Sequence, residues 1–431
     1  MLLILSVVAA AAWVYLLLAH GRFWRADQTL DRLEPAVSED PWPSVAAIIP
    51  ARDEAPIISR SLRALAAQDY PGPLEIVLVD DHSSDGTGAV ADGLAVDRPC
   101  TVLHAPPLAA GWSGKLWAVN HGLAEVARRD PPPDYVLLTD ADIAHAPDSV
   151  RRLVAVARDR DAALVSVMAR LDCRGFWERL LIPAFVFFFQ KLYPFPRVND
   201  PASPAAAAAG GCALVRRRDL DAIGGIAAIR GALIDDVALA RAIKAPGPGG
   251  RRRRILLMLA DTVASLRPYE GYGGVRDMVV RTAYTQLRHS PLLLAGTLVG
   301  MALLYLAGPL TALTWPLHGQ AAAALAGAGA WATMAVAYRP TLRRYGGSWF
   351  RALGLPLAGL WYTVFTVESA VAHARGRGGL WKGRRQAPDP SMPLAPSKPS
   401  SPPMSSRSLQ ASTLSPPSPA RASAERGTDG R

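Results

Sequence analysis

The sequence predicts an α/β fold, with a mostly parallel sheet flanked by helices, together with transmembrane helices. Two observations support this prediction. Short apolar runs alternate with helical stretches between Val45 and Leu138, and long apolar segments occur near the start of the 431-residue chain and again after residue 290. Strands that alternate with helices are typical of parallel sheets with right-handed crossovers. About 20 apolar residues are enough to cross a bilayer as a helix.

The first element is an uncharged segment from Leu2 to Ala19, which predicts a transmembrane anchor over residues 1–20. The alternative, a cleaved signal peptide, needs a basic stretch before the apolar run. Here the leucines follow Met1 directly, and the first arginine comes after the run, at Arg22. We therefore interpret the segment as a retained anchor, and the positive-inside rule places residues 21–290 in the cytoplasm.

Four strands and three helices are predicted in this cytoplasmic domain. The strands cover Val45–Ile49, Glu75–Val79, Val102–His104 and Tyr135–Leu138, and the helices cover Ala55–Ala67, Gly86–Leu94 and Leu116–Arg128. Open parallel sheets bind ligands beyond the carboxyl ends of their strands. The residues that follow each strand are therefore the first candidates for a functional site.

The later apolar segments differ in how well they suit a membrane. Phe176–Phe195 is interrupted by Pro183 and Pro194, so we interpret it either as a helix that lies on the membrane or caps the site, or as a core helix. Residues 291–373 are predicted to form two or three membrane helices. The three apolar stretches in that region are Pro291–Trp315, Gln320–Tyr338 and Ala352–Ala372.

The end of the chain, residues 374–431, is predicted to be a basic, Pro/Ser-rich disordered tail. From residue 373 onward there are ten Lys and Arg against three Asp and Glu, which accounts for much of the net charge of +11. Such a tail suits anionic lipid headgroups, and we expect no nucleic-acid partner because no basic stripe interleaved with aromatic residues occurs. If every apolar segment crossed, this tail would lie outside the cell, so we expect the third late stretch not to cross fully.

Polar clusters follow the first two predicted strands. Pro50-Ala51-Arg52-Asp53-Glu54 offers a carboxylate for a ribose or base and an arginine for a phosphate, although a polar turn that caps a helix is an alternative. Asp80-Asp81-His82-Ser83-Ser84-Asp85 has the composition of a helix N-cap. Two adjacent aspartates at a strand end exceed what a cap requires.

Two further clusters suit phosphate and metal chemistry. In Gly111-Trp112-Ser113-Gly114-Lys115, glycines permit close approach of the backbone, and a lysine beside a helix N-terminus suits a diphosphate. Asp140-Ala141-Asp142 follows a strand, so both carboxylates can reach one hard cation. A fifth cluster, Asp235-Asp236, offers a general base, with an acidic N-cap pair as the alternative.

The order of these five clusters, from about Val45 to Leu239, resembles family 2 glycosyltransferases with the GT-A fold. The resemblance implies inverting transfer from a nucleotide sugar, with a UDP-sugar expected. It implies that Asp142 binds Mg²⁺ or Mn²⁺ and that Asp236 is the catalytic base. Glu54 and Asp81 would hold the nucleoside. The full set of residues implied to bind the donor is Pro50, Arg52, Glu54, Asp81, Lys115 and Asp140.

Two details refine this expectation. Processive members of the family carry a QxxRW motif, but the corresponding stretch Arg281–His289 reads RTAYTQLRH, so transfer of a single sugar is expected. The stretches GWSGKLWA from Gly111, RTAYTQLRHSP from Arg281 and WKGR from Trp381 resemble the hopanoid-biosynthesis-associated branch. That resemblance implies a hopanoid or other lipid acceptor and a multi-pass protein of the inner membrane. The alternatives are another lipid acceptor, such as a polyprenyl phosphate, carotenoid or ceramide-like lipid, and an inactive membrane scaffold with the same fold.

Overall fold

The computed structural model describes residues 1–33, 41–247, 250–378, 380–381 and 384–385. Within this part of the chain, an eight-stranded sheet with flanking helices is followed by a group of long apolar helices. The greater part of the tail predicted over residues 374–431 lies outside the described residues, and so does part of the WKGR stretch.

The strands of the sheet are β1 Val45–Ala51, β2 Leu74–Asp80, β3 Cys100–His104, β4 Tyr135–Thr139, β5 Ile143–His145, β6 Leu164–Arg170, β7 Cys212–Arg216 and β8 Ile255–Ser265. The helices up to the end of the domain are α1 Leu2–Leu18, α2 Ala55–Ala66, α3 Thr87–Asp92, α4 Gly114–Val126, α5 Ser149–Asp159, α6 Phe176–Leu192, α7 Phe195–Asn199, α8 Arg217–Ala222, α9 Asp235–Lys244, α10 Gly271–Val280 and α11 Ala283–Gln286. The later helices are α12 Pro291–Met301, α13 Gly308–Leu313, α14 Trp315–His318, α15 Ala321–Arg344 and α16 Leu355–Ala374. Short helical turns cover Phe23–Arg25, Leu30–Arg32, Ile226–Ile229, Ala302–Ala307 and Trp349–Gly354, and Leu380–Trp381 pairs with Arg384–Arg385.

The sheet confirms the predicted α/β fold. Its strand order is β3-β2-β1-β4-β7-β6-β8-β5, and the four predicted strands β1 to β4 are mutually parallel neighbours. Beyond β4 the sheet is mixed, because β7 runs antiparallel to both β4 and β6, and β5 runs antiparallel to β8. The carboxyl ends of β1 and β4 consequently lie side by side, at the edge where ligands are expected.

The centre of the sheet is buried on both faces. Every residue of β1 is buried, as expected for a central parallel strand with a continuous apolar sequence. Helix α4 lies directly on one face of the sheet. At Gly122 a Cβ atom would lie 2.7 Å from Cγ2 of Ile48 and 3.1 Å from Cγ2 of Val79. Glycine at this position therefore sets how closely α4 approaches β1 and β2.

We expect Gly122→Ala to destabilise the domain by about 1–2 kcal/mol, since overpacking against two buried strands outweighs the better helix propensity of alanine. The matched control is Gly273→Ala in α10, where a Cβ atom would meet nothing within 4 Å. This control should be neutral or slightly stabilising. Thermal unfolding of the two purified variants in detergent tests the difference, and equal melting temperatures would contradict the close packing of α4.

Three helical segments have the length and apolar composition of membrane spans: Pro291–Leu313, Ala321–Arg344 and Trp349–Ala374. They overlap the three predicted stretches. The third contains Glu368, whose carboxylate forms an ion pair of 2.6 Å with Arg276 of α10, so its charge is balanced by the domain. The expectation that this stretch does not cross fully stays a prediction.

The N-terminal helix α1 is apolar and has 17 residues. It packs against the later helices through Trp13, which is fully buried and donates its indole N–H to the Leu304 carbonyl at 2.7 Å. The Trp13 ring also meets Tyr305 edge-on, with the ring centroids 5.6 Å apart. The start of the chain and the C-terminal apolar helices therefore share one hydrophobic core.

Most of the segment Phe176–Phe195, for which two interpretations were open, forms the continuous helix α6, which includes Pro183 and ends at Leu192. Leu181, Ile182 and Phe187 are fully buried in the core shared with the apolar helices. Tyr362 of α16 donates its hydroxyl to the Leu181 carbonyl at 3.0 Å. Helix α6 is therefore a packed helix that joins the domain to the apolar helices, and its other face borders the cavity described next.

Candidate active site

A cavity of about 1170 Å³ lies at the carboxyl ends of β1 and β4. One side is polar and carries residues from four of the five clusters noted in the sequence. The other side is apolar and is formed by α6, α12 and α16. The polar lining residues named in the sequence analysis are Pro50, Asp53, Glu54, Ser113, Lys115, Asp140, Asp142, Asp235 and Asp236.

A shared cation joins three clusters at this edge. Lys115 lies in the first turn of α4, which begins after the N-cap Ser113, whose hydroxyl accepts the Leu116 N–H. The Lys115 ammonium lies 2.8 Å from Asp140 Oδ1, directly after β4, and 3.1 Å from Asp235 Oδ2, at the start of α9. Desolvation opposes the charge of Lys115, but Asp140 and Asp235 together raise its pKa. Lys115 therefore stays protonated and joins its own cluster to the clusters of Asp140 and Asp235.

Asp236 lies beside this ion-pair cluster, in the first turn of α9. Its Oδ1 accepts the Val237 N–H at 2.7 Å, and a Cβ atom on Gly210 would lie 3.4 Å from its Oδ2. Desolvation and the neighbouring Asp235 carboxylate raise the pKa of Asp236 to about 7, with Lys115 partly opposing the shift. A carboxylate with this pKa is suited to accept a proton near neutral pH.

The pH dependence of activity should report this group. If Asp236 is the general base, it must be deprotonated to act, so kcat/KM should rise with pH through about 7 and level off above it. Lys115 lowers the pKa of Asp236, so Lys115→Met should move the rise in kcat/KM to higher pH. This shift is independent of any fall in the maximal rate. Rate profiles of wild type and variant between about pH 5.5 and 9 measure both effects. A rate that stays constant down to the acid end of this range in both proteins would contradict the assignment.

A second ion-pair cluster faces the same cavity. Arg267, two residues after β8, lies with Nη2 2.9 Å from Glu54 Oε1 and with Nε 2.9 Å from Asp142 Oδ2. Burial disfavours its charge, but Asp142 and Glu54 raise the pKa of Arg267. No sequence motif marks this arginine. The available signal was its position shortly after the apolar run Ile255–Ala260, which forms about half of β8.

Asp140 and Asp142 supply the oxygen ligands that hard cations prefer. Among the described residues, no group of three or more His, Cys, Asp or Glu side chains converges to hold a metal ion. Mg²⁺ in phosphate chemistry is usually held by one or two carboxylates together with substrate phosphates. The two aspartates fit an ion that binds together with a donor diphosphate. In this structure Lys115 and Arg267 balance their charge.

The residues implied to bind the donor occupy two different positions. Pro50, Glu54, Lys115 and Asp140 line the cavity, whereas Arg52 and Asp81 are not among its lining residues. Arg52 donates to the Asp81 carbonyl at 2.5 Å, and the Asp81 N–H donates to the Ala51 carbonyl at 2.8 Å. These bonds hold the ends of β1 and β2 together. The predicted donor contacts of Arg52 and Asp81 stay predictions.

The cluster after β2 also binds the start of a helix, but that helix is α2, whereas the alternative interpretation was an N-cap of the helix that follows the cluster. Thr87 Oγ1 accepts the Glu54 N–H at 2.8 Å, and Asp85 Oδ2 accepts the Ala55 N–H at 2.9 Å. The two N–H groups belong to the start of α2. Residues 80–87 therefore stabilise the turn that places Glu54 in the cavity.

The apolar wall was not predicted to be part of the site. It includes side chains from α6, α12 and α16, together with two basic residues. Helices α10 and α11 also contribute to it, and its lining residues include Phe185, Phe188, Phe189, Lys191, Leu192, Asp277, Met278, Arg281, Ala283, Thr297, Met301, Tyr362 and Thr366. The cavity thus extends from carboxylates at the strand ends to helices with the composition of membrane spans.

Comparison with known proteins identifies the polar half of this site. Residues 46–224 match the family described as glycosyl transferase family 2. These residues carry a family 2 glycosyltransferase domain. The domain match includes the first four clusters and ends before Asp235 and Asp236.

Curated relatives match about a third of this chain. An N-acetylglucosaminyltransferase of Mesorhizobium japonicum is 32% identical over 137 residues, which cover 31% of this chain and 30% of that protein. A beta-monoglucosyldiacylglycerol synthase of Synechocystis sp. is 32% identical over 143 residues, which cover 32% of this chain and 28% of that protein. The matched region spans less than a third of the length of either relative.

A solved structure extends the likeness in fold to most of the chain. A mannosyltransferase of Pyrobaculum calidifontis, in complex with GDP-Man and Mn²⁺, is 23% identical with a TM-score of 0.50, covering 88% of this chain and 100% of that one. This likeness confirms the GT-A fold predicted from the sequence.

Proposed function

We propose that the protein is a membrane-bound, inverting glycosyltransferase that transfers a single sugar from a nucleotide-diphosphate sugar to a lipid acceptor. One observation carries the proposal: a single cavity joins the carboxylate clusters of the glycosyltransferase domain to the apolar helices. A polar donor and an apolar acceptor can therefore meet inside it. We further propose a multi-pass location in the inner membrane, with the catalytic domain in the cytoplasm.

The polar side is proposed to bind the donor. Pro50 and Glu54 would face its nucleoside, and Lys115 would face its diphosphate, with Asp140 and Asp142 holding Mg²⁺ or Mn²⁺. When bound, such an ion neutralises negative charge on a leaving diphosphate. The mannosyltransferase of P. calidifontis is described with GDP-Man and Mn²⁺, which supports a metal and a nucleotide sugar here. We expect a UDP-sugar as the donor.

The chemistry proposed for the protein's own groups is a single displacement. Asp236 accepts the proton of the acceptor hydroxyl while that oxygen attacks the anomeric carbon from the face opposite the diphosphate. The configuration at that carbon is therefore inverted. The pKa of about 7 suits Asp236 to this role, and the bond from the Val237 N–H holds its carboxylate in position.

The apolar side is proposed to bind the acceptor. Phenylalanines of α6 and the side chains of Met301 and Tyr362 offer an apolar surface to a lipid chain or ring system. The relative described as a beta-monoglucosyldiacylglycerol synthase supports a lipid acceptor. We propose a hopanoid or, as the alternative, another lipid such as a polyprenyl phosphate, carotenoid or ceramide-like lipid.

The test is release of nucleoside diphosphate by the full-length protein in detergent, with a panel of nucleotide sugars, Mg²⁺ or Mn²⁺, and a lipid extract. The proposal expects release with one class of donor, dependent on both the metal ion and the lipid. Transfer to water alone, equal with and without lipid, would contradict the lipid acceptor. Absence of release with every donor, from a protein that unfolds cooperatively, would favour the inactive scaffold.

A further inference from the structure

A lysine lies in the apolar wall of the cavity, on the side assigned to the acceptor. Lys191 is in the last turn of α6 and lines the cavity beside Phe188 and Leu192. Its Nζ donates to the Tyr305 hydroxyl at 2.7 Å. It also lies 5.5 Å from the ring centroid of Phe188 and 4.7 Å from that of Tyr305. These are the contacts of a cation held among aromatic rings.

Lys191 differs from the cations on the polar side, because no carboxylate of the described part of the chain forms an ion pair with it. Lys115 and Arg267 each form ion pairs with two carboxylates. Among the described residues, by contrast, the contacts of Lys191 are a phenolic hydroxyl and two aromatic faces. Such contacts stabilise a cation but carry no net negative charge. Buried charges in proteins are usually paired.

The charge state of Lys191 is consistent with this geometry. Burial alone lowers the pKa of Lys191 to about 8, and no nearby carboxylate opposes the shift. At pH 7 the amine is still mostly protonated. The apolar wall therefore presents a positive charge to whatever occupies that side of the cavity.

We propose that Lys191 forms an anion subsite, which binds a phosphate or carboxylate group attached to an apolar chain that lies along Phe185, Phe188 and Phe189. This inference rests on the proposed function, since it takes the apolar wall as the acceptor side. Among the acceptors proposed above, it favours an anionic amphiphile such as a polyprenyl phosphate over the uncharged lipids. The anionic group balances the lysine charge, and the chain covers the phenylalanines and continues between the apolar helices.

The experiment measures binding of dodecyl phosphate to the full-length protein in neutral-lipid nanodiscs, without donor or metal, by titration calorimetry. Wild type is compared with Lys191→Met, which keeps the length but not the charge, and with Lys191→Arg, which keeps the charge. Tyr305→Phe removes only the hydroxyl partner of the amine. Arg281→Met removes another cation of the same cavity and is the matched control.

We expect Lys191→Met to weaken dodecyl phosphate binding about tenfold or more, because the variant loses one charge-assisted hydrogen bond to the phosphate. Lys191→Arg, Tyr305→Phe and Arg281→Met should stay within about threefold of wild type. Melting temperatures show whether each variant is folded. If Lys191→Met does not fold, Lys191→Arg still tests the proposal, because this variant keeps the charge and must keep its binding of dodecyl phosphate.

Three results would overturn the proposal. The first is equal binding of dodecyl phosphate by wild type and Lys191→Met, or a loss in Arg281→Met alone. The second is equal binding of dodecanol and dodecyl phosphate, which would show that binding does not depend on the charge of the ligand. The third is inorganic phosphate binding as tightly as dodecyl phosphate, which would show a free-anion site. If the protein releases nucleoside diphosphate with a neutral lipid but does not bind dodecyl phosphate, the proposed glycosyltransferase function is supported and only the anion subsite is contradicted.

Discussion

Replacing Asp236 with Asn should lower kcat for sugar transfer by about 10²- to 10⁴-fold, the usual contribution of a positioned general base. The amide has the size of the carboxylate and keeps an oxygen for the Val237 N–H, which now bonds to Oδ1 at 2.7 Å. It cannot accept a proton. Donor binding should therefore stay within a few fold of wild type, and the loss should appear in kcat.

The control for this variant is Asp277→Asn, which removes another carboxylate that lines the cavity. Asp277 pairs with Arg276 at 2.7 Å, outside both ion-pair clusters. Its replacement should leave the rate unchanged. The measurement is single-turnover transfer at saturating donor, with donor affinity determined separately. Near-normal turnover by Asp236→Asn would show that another group takes the proton.

Replacing Asp142 with Asn should abolish metal-dependent transfer, with a fall in rate of about 10²-fold or more. The amide is a weaker ligand for a hard cation and removes one negative charge from the pair Asp140 and Asp142. Binding of Mn²⁺ in the presence of donor, followed by electron paramagnetic resonance, should weaken in parallel. This second readout separates loss of the metal from loss of the reaction.

Glu54→Gln is the matched control for Asp142→Asn, because both variants remove one carboxylate partner of Arg267. We expect Glu54→Gln to raise the KM for donor while the Mn²⁺ concentration that supports half-maximal rate stays unchanged. If both variants instead lose activity equally and bind Mn²⁺ equally, Asp142 acts by positioning Arg267 and the metal assignment is wrong.

The parallel half of the sheet could be predicted from local sequence. Strands β1, β2 and β4 are short apolar runs because a parallel strand inside the sheet is buried on both faces, and such runs are visible without knowledge of the fold. The edge strand β3 is only partly buried. The carboxyl ends of parallel strands share one edge, so Glu54, Lys115, Asp140 and Asp142 could be expected to meet. No strand was predicted after Leu138, so the part of the sheet that contains the antiparallel pairs was not predicted.

The partners of these carboxylates depended on the path of the whole chain. Arg267 is 213 residues from Glu54 and 125 residues from Asp142 along the sequence. Nothing near any of the three marks the pairing. Similarly, the composition of α6 was compatible with two interpretations, and only the packing of the folded chain showed that one face lies in the core and another lines the cavity.

From the sequence alone came the α/β fold, the apolar segments and the carboxylates at the strand ends, since burial and helix or strand periodicity are local properties of a chain. Only the tertiary structure showed that Lys115 joins Asp140 to Asp235, that Arg267 balances Asp142, and that a lysine of α6 faces the same cavity. Ion pairing and cavity shape depend on distances between segments remote in sequence, and those distances are set by the packing of the folded chain.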